Sequence, residues 1–274
     1  MYQLKLGTSI PFFDFYGIRE AFYKEIEEIK KLGFYSVDLS LSGVGGYNNT
    51  MEKCIKTVDC ALNTIKESGL KLNGIHLPFW RFIYITSCDE DVRAWCMNEY
   101  RDLINVCNPY KPDFYIFHSK TNSSIEGVRK KRKPMLYKSF QEMTEMTDSV
   151  VCLENMIIAS DPETSADAIE IINRVPKGKI CADVNHFLLE KPEEALLKLG
   201  ERVATLHISD NDGVSEKHWM PKQGVIDWIN IIGALEKIGY NGVFNYEVDM
   251  NKFGYSFEDI KHNYEKLFEE YNKR

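Results

Sequence analysis

Eight short apolar runs, at 4–9, 35–39, 72–76, 114–118, 150–154, 180–183, 204–208 and 243–247, punctuate the chain at near-regular intervals. Each is followed by a longer stretch with apolar residues at helical spacing, at 20–32, 51–68, 92–107, 137–147, 165–174, 193–199, 228–238 and 257–271. Short continuous apolar runs are what strands buried on both faces look like. Strict alternation with helices makes such strands parallel, joined by right-handed crossovers. Eight units in 274 residues predict closure into a (β/α)₈ barrel, which takes ~250 residues. An open doubly wound sheet is the alternative, but no GxGxxG follows the first run. Gly33 and Gly69 end the first two helical stretches, as glycines past a helix C-terminus do. No linker or low-complexity segment interrupts the pattern, so residues 1–274 are expected to form one domain. The least regular stretch, 121–134, is predicted as a long loop after the fourth strand.

Composition narrows the partners. The net charge of −7 argues against nucleic acid, because phosphate binding needs a basic face. The one basic run, RKKRK at 129–133, has two readings: a solvated loop or helix start, or a phosphate contact for DNA or a sugar phosphate. No apolar run approaches the ~18 residues of a membrane span, so no membrane partner is expected. The N-terminus lacks the charged and apolar regions of a signal peptide. The seven cysteines are odd in number and form no CxxC pair. Reduced thiols and a cytoplasmic location follow as expectations. Nothing in the sequence fixes the oligomeric state, and a homo-oligomer stays open.

The polar residues gather where the apolar runs stop. VVCLE, KICAD and GVFNYE end in Glu154, Asp183 and Glu247. His76, His118, His186, His207 and His218 lie at or just beyond strand ends, and only His262 falls in a helix. A carboxylate ending a buried strand is costly to desolvate unless something compensates it. In a barrel all strand carboxyl ends meet on one face, where active sites are built. Three carboxylates and imidazole converging there, without matching lysines or arginines, call for a cation. Oxygen donors with an imidazole suit Mn²⁺, Mg²⁺, Zn²⁺, Co²⁺ or Fe²⁺. The bland readings are ion pairs for Glu154 and Glu247, a helix cap for Asp183, and satisfied structural histidines.

With GIHLPF at 74–79, LEN at 153–155, CADVNHF at 181–187, LHISDNDG at 206–213, GVIDW at 224–228 and GYNGVFNYEVD at 239–249, the chain resembles the xylose isomerase-like superfamily of barrels. That superfamily includes sugar isomerases and epimerases of the tagatose-3-epimerase type and the endonuclease IV branch, AP endonuclease family 2. The resemblance implies a divalent metal held by Glu154, Asp183, His207 and Glu247. It implies that Glu154 and Glu247 are the catalytic pair, exchanging a proton at the carbon beside a metal-polarised carbonyl of a sugar-like substrate. His186 fits a position that contacts substrate oxygens. The endonuclease IV branch binds a zinc cluster, and His76, His118, His186, Glu216 and His218 have counterparts there. These five are therefore candidates for additional metal or substrate binding. Trp80 and Arg81, with Phe82, follow His76 as a stacking wall or as ordinary loop packing. Trp219 carries the same two readings, and Lys120 is assigned to the substrate pocket. The chain departs from the family at Pro221–Gly224, where Lys222 and Gln223 could enter the pocket, and at Asp38, where a Glu is common.

The leading expectation is a metal-dependent isomerase or epimerase of a sugar or sugar phosphate. A lyase or dehydratase on the same barrel, an apurinic endonuclease with a zinc cluster, and a non-catalytic sugar-binding barrel are the competing readings.

Overall fold

A computed structural model describes residues 1–11, 18–42, 51–79 and 83–274. Its main sheet holds eight parallel strands: β1 (Lys5–Pro11), β2 (Ser36–Ser40), β3 (Lys71–His76), β4 (Phe114–Phe117), β5 (Val150–Glu154), β6 (Lys179–Asp183), β7 (Val203–His207) and β10 (Val243–Tyr246). Their order is β10-β1-β2-β3-β4-β5-β6-β7. The ring closes between β7 and β10 through one parallel bridge, Ile208 to Tyr246. There the Ile208 N–H donates to the Asn245 carbonyl at 2.9 Å, and the Glu247 N–H to the Ile208 carbonyl at 3.0 Å. The fold is the predicted single (β/α)₈ barrel.

Helices α1 (Ile18–Lys31), α2 (Met51–Ser68), α3 (Glu90–Cys107), α4 (Glu126–Met143), α5 (Ser165–Arg174), α6 (Pro192–Leu199), α7 (Trp228–Lys237) and α9 (Phe257–Asn272) surround it, with a single turn, α8 (Met250–Phe253), before the last. Their apolar faces, such as Ile26 and Ile29 on α1 and Leu267 and Phe268 on α9, pack on the outer face of the strands in one continuous core. Side-chain caps fix several starts. The Asp89 carboxylate accepts from the Asp91 and Val92 amides at 3.0 and 3.2 Å, and Ser256 with Asp259 forms a capping box.

Two features differ from the sequence expectation. The stretch 121–134 is not one long loop, because α4 begins at Glu126 and contains the whole basic run. Acidic partners compensate three of its five charges: Arg129 meets Glu163 at 2.8 Å, Lys130 meets Glu126 at 2.8 Å, and Lys133 meets Glu170 at 2.7 Å. Pro134 lies inside the helix on its exposed side. The phosphate-binding reading of these three side chains therefore gives way to intramolecular ion pairing. The second difference is an antiparallel hairpin, β8 (Asp210–Asn211) and β9 (Glu216–Trp219), inserted after β7. Asp210 anchors it. Its carboxylate accepts from the amides of Asn211, Lys222 and Ile226 and from the Trp228 indole at 2.8 Å. A Cβ at Gly224 would come within 2.0 Å of the Asn211 carbonyl, so the loop can pass the hairpin only with glycine there.

Candidate metal centre

Parallel strands deliver their last residues to one rim, and here that rim is acidic and imidazole-rich. Glu154 closes β5, Asp183 closes β6, His207 closes β7 and Glu247 follows β10. One donor atom from each of these four lies within 4.8 Å of the others. His207 Nδ1 is 3.1 Å from Glu247 Oε2 and 3.4 Å from Glu154 Oε1. Three further groups meet the same test: His76, His118 and Glu154; Glu154, Cys181 and His207; and His186, Glu216 and His218. His76 Nε2 and His118 Nε2 approach Glu154 Oε2 at 3.0 and 3.2 Å. His186 links the groups, with Nε2 at 2.8 Å from Glu216 and 3.4 Å from Asp183, and Nδ1 at 3.5 Å from Glu154. No lysine or arginine forms an ion pair with Glu154, Asp183 or Glu247 among the described residues.

The local chain explains the alignment. The Asn155 amide group straps β5 to β6: its Oδ1 accepts from the Asp183 N–H at 2.7 Å, and its Nδ2 donates to the Asp183 carbonyl at 3.0 Å. Asp183 Oδ1 accepts from the Asn185 amide at 2.7 Å. Asn185 in turn holds the hairpin, its carbonyl accepting from Asn211 Nδ2 at 2.8 Å and its Oδ1 from the Lys217 amide at 3.1 Å. The hairpin thereby presents Glu216 and His218, whose Nδ1 lies 3.0 Å from the Glu247 carbonyl. His218 adopts φ +52°, a left-handed conformation that non-glycine residues rarely adopt.

Electrostatics show how the rim balances itself. Burial works to raise the Glu154 and Glu247 carboxyls, but His207 and the other imidazoles hold Glu154 well below the usual range and Glu247 at about 2. Burial pushes Asp183 up to about 6 against the pull of His186. His186 rises to about 10 despite burial, because Asp183 and Glu216 favour its charged form, and His207 also rises well above its ordinary value. Without a cation, the carboxylates are neutralised by protons on imidazole. Yet both ring nitrogens of His207 and Asp183 Oδ2 are fully buried without a well-aligned hydrogen bond, close as Glu247 and Glu154 lie to Nδ1. Buried polar atoms so poorly matched cost free energy that a coordinated ion would offset. Three oxygens and an imidazole nitrogen fit a divalent ion such as Mn²⁺, Zn²⁺, Mg²⁺ or Co²⁺.

The remaining pocket candidates scatter. Lys120 follows β4 in a left-handed conformation (φ +56°), half-buried, and burial lowers its ammonium. Trp219 ends β9, half-buried. Lys222 pairs with Glu270 on α9, so its charge is taken up at the helix layer rather than in the pocket. Trp80 and Arg81 lie outside the described residues. The sequence reading missed the roles of Asn155, Asn185 and Asp210. Asn155 and Asn185 sit within the LEN and CADVNHF segments, but a neutral amide there carries no sign of what it straps.

Residues 26–269 match the family model described as Xylose isomerase-like TIM barrel. A curated relative, the uncharacterised protein MJ1614 of Methanocaldococcus jannaschii, is 36% identical over 207 residues, covering 69% of this chain and 80% of its own. A D-tagatose 3-epimerase-like protein superposes with a TM-score of 0.78 at 18% identity, covering 98% of this chain and 99% of its own. The 3-keto-D-glucoside 4-epimerase YcjR of E. coli gives 0.73 at 17%, over 97% and 99%. A D-allulose 3-epimerase from Methylomonas sp. gives 0.76 at 14%, over 98% of each chain.

Proposed function

Because the chain belongs to the xylose isomerase-like TIM barrel family, we propose that it is a divalent-metal-dependent isomerase or epimerase of a sugar or sugar phosphate. The carrying observation is the convergence of Glu154, Asp183, His207 and Glu247 donor atoms within 4.8 Å at the barrel rim. A bound divalent ion would polarise a substrate carbonyl and stabilise negative charge on its oxygen. The chain's own work is proton transfer at the neighbouring carbon. Glu247, held ionised and with 24% of its side chain exposed, is the better-placed base. Glu154 is 1% exposed and lies against several imidazoles. It is ionised in the resting cluster and can return a proton only when substrate displaces some of those contacts. His186 and His118 border the same space and would bind substrate oxygens. The epimerases and isomerases among the structural neighbours support this substrate class.

A second reading has its own observation. Besides the four-residue set, Glu154 belongs to a donor group with His76 and His118, and another group is formed by His186, Glu216 and His218. Such overlap suits a multinuclear centre, which serves phosphodiester hydrolysis as well as isomerisation. The net charge of −7 and the internally paired basic run weigh against nucleic acid as substrate.

Metal analysis of purified protein, followed by incubation with a panel of ketoses and ketose phosphates in D₂O, tests both. One bound ion with deuterium appearing beside the carbonyl supports the isomerase. Three ions with cleavage of abasic DNA and no deuterium exchange would overturn it.

A further inference from the structure

We propose that Asp38 is a positioning residue, the buried carboxylate behind His207 that decides which ring nitrogen faces the cation. The inference rests on the metal-centre reading above. The two nitrogens of His207 look in different directions. Nδ1 faces Glu247 and Glu154, at 3.1 and 3.4 Å, whereas Nε2 lies 4.0 Å from Asp38 Oδ2. Both side chains are 1% exposed. Asp38 Oδ2 and His207 Nε2 are each without a hydrogen-bond partner. A small ring rotation or one bridging water closes such a gap.

Asp38 is built into this place. Asn73 Nδ2 donates to its Oδ1 at 2.6 Å and the Gly74 backbone amide also favours the carboxylate, while Oδ2 makes no well-aligned hydrogen bond and keeps acceptor capacity. The register of β2 against β3 shifts between Val37 and Asp38, an irregularity of the kind that re-aims a side chain. Opposite it stands Gly74, where a Cβ would come within 2.7 Å of Asp38 Oδ2. The strand thus leaves room for this carboxylate and for little else.

The chemistry follows from imidazole. A neutral ring can offer a lone pair on one nitrogen only while the proton sits on the other. An ionised carboxylate accepts and never donates, so at Nε2 it selects the Nε2–H form and leaves the Nδ1 lone pair toward Glu154 and Glu247. Cys181 is the other group beside the ring, grouped with Glu154 and His207 within 4.8 Å. Burial raises its thiol, so it stays neutral, and a thiol both donates and accepts weakly, which selects neither form.

Asp38→Asn tests the assignment. Asn73 keeps its hydrogen bond to the remaining oxygen, so the new NH₂ group faces Nε2 and favours the Nδ1–H form. Chelator competition should show Zn²⁺ and Mn²⁺ affinity falling about 10- to 100-fold. In Zn²⁺-loaded wild type, ¹⁵N spectra of the His207 ring should place the proton on Nε2. Cys181→Ala should leave the affinity and the ring signature in place. Zn²⁺ affinity within twofold of wild type in Asp38→Asn overturns the proposal, as does a ring proton on Nδ1 in the loaded wild type, a measurement that needs no variant to fold. If Glu154→Gln weakens Zn²⁺ binding and Asp38→Asn does not, only the role of Asp38 fails. If the wild type binds neither ion, the metal-centre reading fails with it.

Discussion

Glu247 keeps 24% of its side chain exposed beside the buried His207, while Glu154, which approaches the same ring nitrogen, keeps 1%. Replacing Glu247 with Gln should therefore leave the fold intact and lower kcat by about 10²- to 10⁴-fold, the usual contribution of a positioned base. Steady-state kinetics with a thermal melt as control checks this. The metal-free rim also fixes a pH dependence. Burial holds Asp183 protonated up to about 6. A cation binds the carboxylate, so it must displace that proton. The imidazole of His207 is also raised well above its ordinary value, so the cation must displace a proton there too. Its apparent affinity should keep rising with pH above 6 and fall more steeply below 6, by about a further tenfold per unit for the Asp183 proton. Titration calorimetry across pH 5 to 8 (about one unit either side of the midpoint and beyond) reads the slope. At this scale the sequence was informative where charge met apolarity: Glu154, Asp183 and Glu247 stand out because each ends a hydrophobic run. Asp38 showed only as a departure from the family's Glu, and Asn155 and Asn185 showed not at all, because a strapping amide looks like any polar loop residue.

The hairpin β8–β9 is held by Asn185 on one side and by the Asp210 side chain on the other. Asp210 receives three backbone amides and the Trp228 indole, all of them buried except the part-buried bond from Lys222. Asp210→Ala leaves those donors unsatisfied and should cost about 2–4 kcal/mol in urea unfolding. It should also disturb the ring environments of His186 and His218, readable by NMR, since the hairpin carries Glu216 and His218. The barrel strands were legible to within a residue or two because buried parallel strands are continuous apolar runs. The hairpin was not, because DN and EKHW are short and polar and obey no period. The start of α4 was missed because Pro134 and a block of like charge both argue for a loop. Neither breaks the helix here: it runs on through the exposed Pro134, and Glu163, Asp167 and Glu170 lie beside the basic face. Arg129→Gln with Lys133→Gln should thus lower stability by no more than about 1–2 kcal/mol and leave turnover unchanged; a tenfold loss of turnover would return this run to the substrate site.

Across the whole molecule, the ring of strands is hydrogen-bonded along every neighbouring pair except one. Between β7 and β10, among the described residues, the Ile208–Tyr246 bridge alone spans the gap. His207 immediately precedes that joint on one side, and Glu247 follows it on the other. An ion shared by these two residues is therefore a clasp across the barrel's thinnest seam, and occupancy and cohesion become one property. Saturation at a hundredfold over Kd should add about 2.7 kcal/mol to unfolding. Hydrogen exchange should report where it acts: stripping the ion with a chelator should speed exchange at the amides of Ile208 and Glu247 far more than at those of β3 or β4 on the opposite wall.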